Sequence, residues 1–418
     1  MMLTSFRIPF IFLIVGISLV HQTNMHAFAS GFLLYNQDAA ATSLATAVTA
    51  QIDNPSAIFY NPAAINQLKG TQISFGSTIV MPRTKFKSYQ TGNTTHMKNH
   101  IYMIPNAYIT HQVNDSLSIG IGSFSHFGLT TDWDDEWEGR FLSTYAQLRT
   151  FSANPVISWQ INPKLSVAVG GSVIYSDITL RKDLNPKPIP IKLGSVDLDA
   201  CDVGYSYNFA VRYKMNNNVT FGASYRSSID MRYKGNSHFK TSSFISRFLP
   251  DNDVKVDMTL PPILGSGAAV SFSNKWTMEF DVFWVGWSRY NDLSADFKKG
   301  VRPSFDLLNP PIPRSYHNIL DYSLGVKYQA NELTILRCGF MYDSSPVPRA
   351  EVDPIVPDAN KYCFTAGLSI HDGKRYAIDL TYYGIAYRII KTRNNYSGLN
   401  GRYESFVNMF SLSLEYKL

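Results

Sequence analysis

The residues of this chain that could do chemistry do not assemble into a reactive set. There is no Gly-x-Ser-x-Gly elbow to present a nucleophile and no glycine loop to cradle a phosphate, and the nine histidines are isolated. Cys201, Cys338 and Cys363 are odd in number and widely spaced, which suits neither a disulfide framework nor a metal set. No catalytic residue, metal or cofactor is expected. One cluster combines apolar surface with charge. Phe244, Ile245, Phe248 and Leu249 recur at the i, i+1, i+4, i+5 spacing of one helix face, with Lys240 and Arg247 nearby. Such a face beside cations suits an amphiphile with a carboxylate, and it equally suits a loop helix packed on its neighbours. Trp133 and Trp137, in the acidic loop Asp132 to Glu138, read as packing residues before ligand contacts.

The elements that must position these groups are strands in a membrane. The chain opens with Arg7 and an uncharged run from Ile8 to Val20, 13 residues, where a membrane helix needs about 20. Ala27-Phe28-Ala29 follows as a small-x-small cleavage site, so residues 1–29 read as a removed signal peptide. No later segment is long and apolar enough for a helical span. Charged residues are only 17% and aromatic residues 14%, with 25 Tyr and 26 Phe. A soluble chain carries about 25% charged residues, and the shortage here fits a barrel with aromatic girdles. The formal charge of +6 is scattered, which gives nucleic acid no basic patch to bind.

Period-two alternation appears over long stretches. Val203, Tyr205, Tyr207, Phe209, Val211 and Tyr213 oppose Gly204, Ser206, Asn208, Ala210 and Arg212. Trp276, Met278, Phe280, Val282 and Trp284 oppose Thr277, Glu279, Asp281 and Phe283. Phe410, Leu412, Leu414, Tyr416 and Leu418 do the same at the end of the chain. Fourteen such segments begin near Thr71, His100, Leu117, Gln147, Leu165, Asp202, Val219, Lys255, Trp276, Asp321, Leu333, Lys361, Tyr376 and Tyr403. Short Asn, Asp or Gly turns, such as Asn114-Asp115-Ser116 and Asn216-Asn217-Asn218, alternate with long loops such as Arg181 to Cys201, Gly235 to Asp253 and Asp343 to Asn360. The pattern predicts a 14-stranded antiparallel outer-membrane β-barrel over residues 71–418, with both ends on the periplasmic side.

Residues 30–70 break this pattern. They are small and helix-prone, and Asn54-Pro55 and Asn61-Pro62 each place a capping side chain before a proline that has no N–H to lose. Two short helices are expected, the second stopping near Gly70. The segment reads as a hatch inside the lumen, with a periplasmic arm as the other reading.

Ser30-Gly31-Phe32 together with Phe59, Tyr60, Asn61, Pro62 and Ala63 resembles the N-terminal hatch of the long-chain fatty acid outer-membrane transporter family, which carries an Asn-Pro-Ala motif. Trp137-Glu138-Gly139-Arg140, Ser224-Tyr225-Arg226-Ser227, Leu260-Pro261-Pro262-Ile263-Leu264 and Tyr342-Asp343-Ser344-Ser345-Pro346-Val347-Pro348 extend the resemblance over the mature chain. Two positions depart from it. Ala64 stands where the family often has Gly, and the chain ends in Leu418 where the family usually has Phe.

The resemblance implies passive uptake of hydrophobic molecules, either fatty acids or aromatic hydrocarbons. It implies an external capture groove between Arg181 to Cys201 and Gly235 to Asp253, a lumenal pocket, and sideways exit into outer-membrane lipid where the third strand kinks. Here that strand passes through Phe127, Gly128 and Leu129, and Gly128 is the expected flexible point, although glycine also marks ordinary strand ends. A monomer inserted by the barrel-assembly machinery is implied. Among the inward cations Arg212, Arg226 and Lys327, periodicity does not say which converge on a head group. An outer-membrane phospholipase and a plain porin or adhesin are the other classes. The first needs a Ser and a His at matching depth on adjacent strands, and the second tolerates loss of the hatch.

Overall fold

The computed structural model describes residues 31–185, 191–290, 295–297 and 314–418. The expected signal peptide lies outside the described residues. Alternation builds the wall as anticipated. Tyr205, Tyr207, Phe209, Val211 and Tyr213 point outward and are exposed, while Ser206, Asn208 and Ala210 on the same strand are buried inside. Each outward apolar side chain is satisfied by lipid tails, and a closed ladder satisfies the backbone where water cannot.

Fourteen antiparallel strands run in order. They are Thr71–Ser88, Tyr102–Gln112, the pieces Leu117–Phe124 and Gly128–Asp132, Tyr145–Asn162, Leu165–Leu184, Gly194–Lys214, the pieces Val219–Arg226 and Ile229–Thr241, and the pieces Asn252–Leu260 and Ile263–Ser271. There follow the pieces Trp276–Val285 and Ala295–Phe297, Ile319–Asn331, Thr334–Asp343, Lys361–His371, Tyr376–Tyr387 continued by Ile390–Thr392, and Gly401–Lys417. The first strand pairs with the last along its whole length, from Gln72↔Lys417 to Ser88↔Gly401, which closes the barrel.

The short turns form for a local reason. Asn114, Asn162 and Asn216 each turn their side-chain oxygen back to accept the N–H groups two and three residues on, and Asp372 accepts from Lys374, Arg375 and Tyr376. Two of the long loops are shorter than the sequence pattern suggested, and Asp343 to Asn360 is as long as expected. The strands flanking Arg181 to Cys201 extend inward to Leu184 and Gly194, and within Gly235 to Asp253 the hairpin pairs out to Ser237↔Asn252 while its first strand runs on against the preceding strand to Thr241↔Gly194. Pairing between neighbouring strands thus carries on beyond the stretches where the sequence pattern placed their ends.

Residues 31–70 lie inside the barrel. They hold an α-helix at Ala39–Ser43, another at Ala57–Tyr60 and a 3-10 turn at Pro62–Gln67. Asn61 caps the last of these by accepting the Ala63 N–H, with Pro62 in its first turn, as the Asn-Pro reading requires. The first helix is cut short where Ala45 and Thr46 take positive φ of 51° and 68°. That conformation is strained for residues with a side chain, and the wall holds it in place. Asp281 Oδ2 accepts the Val48 and Thr49 N–H groups at 3.0 and 2.9 Å, Glu279 accepts from Ala50, and Ser323 donates to the Ala45 carbonyl. Inward glycines make room for the segment. A Cβ on Gly120 would sit 2.8 Å from Ile58, and one on Gly325 would sit 2.9 Å from Leu44.

Candidate functional site: a break in the wall and the apolar lumen beside it

The third membrane strand is interrupted. Its first piece pairs with the second strand from Gln112↔Ser118 to Ala107↔Ser123 and goes no further, so among the described residues Met103–Asn106 pair with the first strand but not with the third. On the other side, Phe124 faces Ser152 and Gly128 faces Arg149. Ser125, His126 and Phe127 therefore oppose only Thr150 and Phe151. One extra residue makes a β-bulge, which bends the strand that carries it. Every residue from Phe124 to Thr131 is buried, on both faces, so this strand has swung off the lipid surface into the lumen. Above the break, Lys98 and His100 pair with Asp132 at 3.0 and 2.8 Å and tie the outer rim together. Pro105 lies within Met103–Asn106, where a residue with no N–H to contribute is tolerated.

The N-terminal segment supplies the lost partners. Leu34 N–H donates to the His126 carbonyl at 2.8 Å and Gly128 N–H to the Phe32 carbonyl at 2.9 Å. Thr150 Oγ1 accepts from Phe127 N–H and donates to its carbonyl. Gly128 itself is the first residue of the second piece, and a Cβ there would lie 3.0 Å from Leu34. The bulge sits on the three residues before it.

Beside the break the lumen is apolar and aromatic. Phe32 packs edge-on against Trp287 and Tyr290, with ring centroids 4.6 and 5.4 Å apart, and Tyr290 lies 4.9 Å from Tyr316. Phe127 joins the same group through Phe32. Three polar groups in it are buried without full partners among the described residues: Trp287 Nε1, the Tyr316 hydroxyl, and Nε and Nη1 of Arg314. Arg314 makes a 2.6 Å ion pair with Asp353, both nearly inaccessible. Buried donors with no acceptor are costly, and together they would suit an anionic or hydroxylated group. Sequence reasoning missed Arg314 because no local pattern marks it.

The hatch motif residues Phe59, Tyr60, Asn61, Pro62 and Ala63 are all buried. The Tyr60 hydroxyl donates to the Tyr35 carbonyl, Asn61 Nδ2 donates to the Thr49 and Val211 carbonyls, and Phe59 packs on Phe124. The inward cations do not converge. Arg212 donates to the Ala50 carbonyl, Arg226 to the Phe59 carbonyl and Asn154, and Lys327 pairs with Asp53. Each is committed to the N-terminal segment.

At the loop cluster, the expected helix is a single 3-10 turn, Ile245–Arg247. Phe244 and Phe248 are exposed and pack edge-on against each other, whereas Leu249 is buried and Ile245 packs inward, so the four do not share a face. A tight turn places i and i+4 together but points i+1 and i+5 elsewhere. Lys240 lies on the strand below, paired with Asp197 at 2.7 Å, and Arg247 is exposed. Trp133 and Trp137 stack at 4.5 Å, with their indole N–H groups on the Pro354 and Ser143 carbonyls, which makes them loop pins. Two depressions of about 710 and 890 Å³ lie on the lipid face, against Trp159 and Phe209 and against Phe75 and Phe410 respectively.

Residues 20–418 match the family described as outer membrane protein transport protein, OMPP1/FadL/TodX. This chain belongs to that family. It is an outer-membrane protein, and the members of its family are transport proteins. An outer membrane protein of Neisseria meningitidis serogroup B is 25% identical over 93% of this chain and 95% of its own length. A long-chain fatty acid transport protein of Salmonella typhi is 21% identical over 80% of this chain and 81% of its own. Among solved structures, a Pseudomonas aeruginosa FadL homologue superposes with a TM-score of 0.83 at 19% identity, covering 92% of this chain and 99% of that one. The Pseudomonas putida toluene transporter TodX superposes with a TM-score of 0.69 at 16% identity, covering 94% and 98%. These likenesses share the 14-stranded fold.

One titration belongs to the segment inside this FadL-type barrel. Asp38 Oδ1 accepts the Ala41 N–H and an Asn54 donor. Burial, followed by the nearby Asp379, pushes the Asp38 carboxyl from 3.8 up to about 6. A carboxyl raised on folding contributes stability that is complete below its unfolded value and is lost as pH climbs through its folded value. Asp38→Asn keeps the Oδ1 acceptor and cannot ionise. It is expected to raise the unfolding temperature of the barrel at pH 7 and to flatten its decline between about pH 4 and 6, measured by heat-modifiable gel mobility. A lower unfolding temperature with an unchanged pH slope would show that the ionised form is the one the fold uses.

Proposed function

We propose that this chain is a passive channel for hydrophobic small molecules, which reach the aromatic lumen from outside and leave sideways through the break in the third strand into outer-membrane lipid. The observation that carries the proposal is the buried bulge at Ser125–Phe127 beside Met103–Asn106, the stretch of the second strand that does not pair with the third. An apolar solute gains about 25 cal/mol for each Å² removed from water, so an apolar path needs no energy source. Sideways exit spares the solute from returning to water. The exposed Phe244–Phe248 pair is the proposed first contact, with Arg247 beside it. No enzymatic step is assigned, because the route needs none. The protein acts as a monomer whose acceptor is the surrounding lipid.

Between fatty acids and aromatic hydrocarbons, the partly unpartnered Arg314, Tyr316 and Trp287 favour an amphiphile with a carboxylate. Uptake by cells carrying the protein should rank a long-chain carboxylate above its methyl ester and above a monoaromatic hydrocarbon. Replacing the ion pair together, Arg314→Met with Asp353→Leu, avoids stranding one buried charge, which alone costs about 3–5 kcal/mol. The double variant is expected to assemble and to take up acid and ester equally. Preference for the hydrocarbon in the unaltered protein would reverse the substrate assignment, and no uptake of any of the three would refute the channel itself.

A further inference from the structure

Gln37 is fully buried in the N-terminal segment, and its side chain is used like a strand. Nε2 donates to the Ser125 carbonyl at 2.6 Å and Oε1 accepts the Ser125 N–H at 3.1 Å. These are the two bonds that a neighbouring strand residue would exchange with Ser125. Beyond it, Leu34 and Phe32 bond to His126 and Gly128 through main chain alone. At Gln37 the segment has turned away, its own N–H bonding to the Tyr35 carbonyl and the Tyr60 hydroxyl, so only a side chain of this length and chemistry reaches the bulge. Ser125 is where the strand leaves the wall, and in the competing arrangement it would pair with the second strand. Continuing the register Ala107↔Ser123 would set Tyr102 against Gly128 and Pro105 against Ser125, where Pro105 has no N–H and could offer Ser125 only its carbonyl.

We infer that Gln37 is the positioning residue that keeps the third strand folded inward, by satisfying Ser125 in place of the second strand and so holding the wall open. Its consequence for transport rests on the sideways route proposed above. Phe32, Leu34 and Thr150 steady the displaced strand further along, but those contacts follow the strand wherever the bulge begins. Gln37 acts at the branch point itself.

The decisive measurement is a disulfide trap in the full-length protein in outer membranes. Tyr102→Cys with Gly128→Cys places two thiols opposite each other only when the strand lies flush with the wall, since bridging requires Cα atoms within about 7 Å. In an otherwise unaltered chain the pair should bridge slowly. Adding Gln37→Ala removes both bonds to Ser125 and should raise the bridging rate on the order of tenfold, with a parallel fall in uptake of a long-chain carboxylate measured without the cysteines. Gln37→Glu retains the acceptor for the Ser125 N–H and should fall between. Bridging as slow with Gln37→Ala as without it, in protein that still runs as a folded barrel, would overturn the assignment. A chain lacking His126 tests the route separately. If it takes up solute normally, the sideways route is wrong, while the bridging rate still decides the role of Gln37.

Discussion

Deletion of His126 is expected to reduce uptake of apolar solutes to that of cells lacking the protein, while the chain still assembles as a heat-modifiable barrel. The bulge exists because three residues, Ser125 to Phe127, span the interval that two residues span on the fourth strand. Removing one equalises the count. Leu129 and Thr131 already face inward opposite Leu148 and Ala146, so after the deletion alternation runs unbroken from Phe124 to Asp132 and no apolar side chain is forced to the wrong face. Met103–Asn106, which pair with the first strand alone, can then pair with the third as well, and in a bilayer, where unsatisfied backbone is costly, the straight strand is the favoured state. Uptake at the unaltered rate through such a wall would show that solute leaves by another path.

Deletion of residues 31–68 is expected to convert the channel into a water-filled pore. The lumenal surface beneath the segment is polar: Glu279, Asp281, Arg212, Arg226, Lys327, Asp379 and Glu415 all point inward, and most are bonded to the segment. Without it they hydrate. Planar-bilayer recordings should then show steady ion conductance where the intact protein shows none, and cells should become sensitive to bulky hydrophilic antibiotics. Uptake of the long-chain carboxylate should fall as well, because Phe32, Leu34 and Gln37 no longer hold the third strand. Intact-like conductance after the deletion would mean that loops alone close the barrel. Unchanged uptake would return the chain to the plain porin class.

Strand alternation and turn chemistry are local properties, and they were legible. Tyr205 to Tyr213 and the Asn114, Asn162 and Asn216 turns could be placed without any partner in view. Asn61-Pro62 was legible for the same reason, since cap and proline act within one turn. The bulge was not, because an extra residue is defined only against the register of the strands beside it, and Gly128 drew attention to a position three residues past the start of the bend. Gln37 and Arg314 carry no spacing signal, since their partners Ser125 and Asp353 are set by how the chain closes. Arg212, Arg226 and Lys327 could be assigned to the inner face by parity, but parity says nothing about what occupies the lumen. The Phe244 to Leu249 spacing fits a helix face and a single hairpin turn alike, and only the length of the element separates the two.

The glycines that face the lumen have a consequence for exchanging parts between relatives. Side chains at Gly120, Gly222, Gly325, Gly339 and Gly367 would intrude on Ile58, Thr49, Leu44 and Ser43 of the inner segment. The wall is therefore a cast of one particular peptide, with its bare positions recording where that peptide's bulk lies. A segment grafted from another member would meet hollows in the wrong places and walls where it needs room. Segment and barrel have to be swapped together, and a chimera that keeps this wall should seat a foreign insert only after its glycine positions are redrawn.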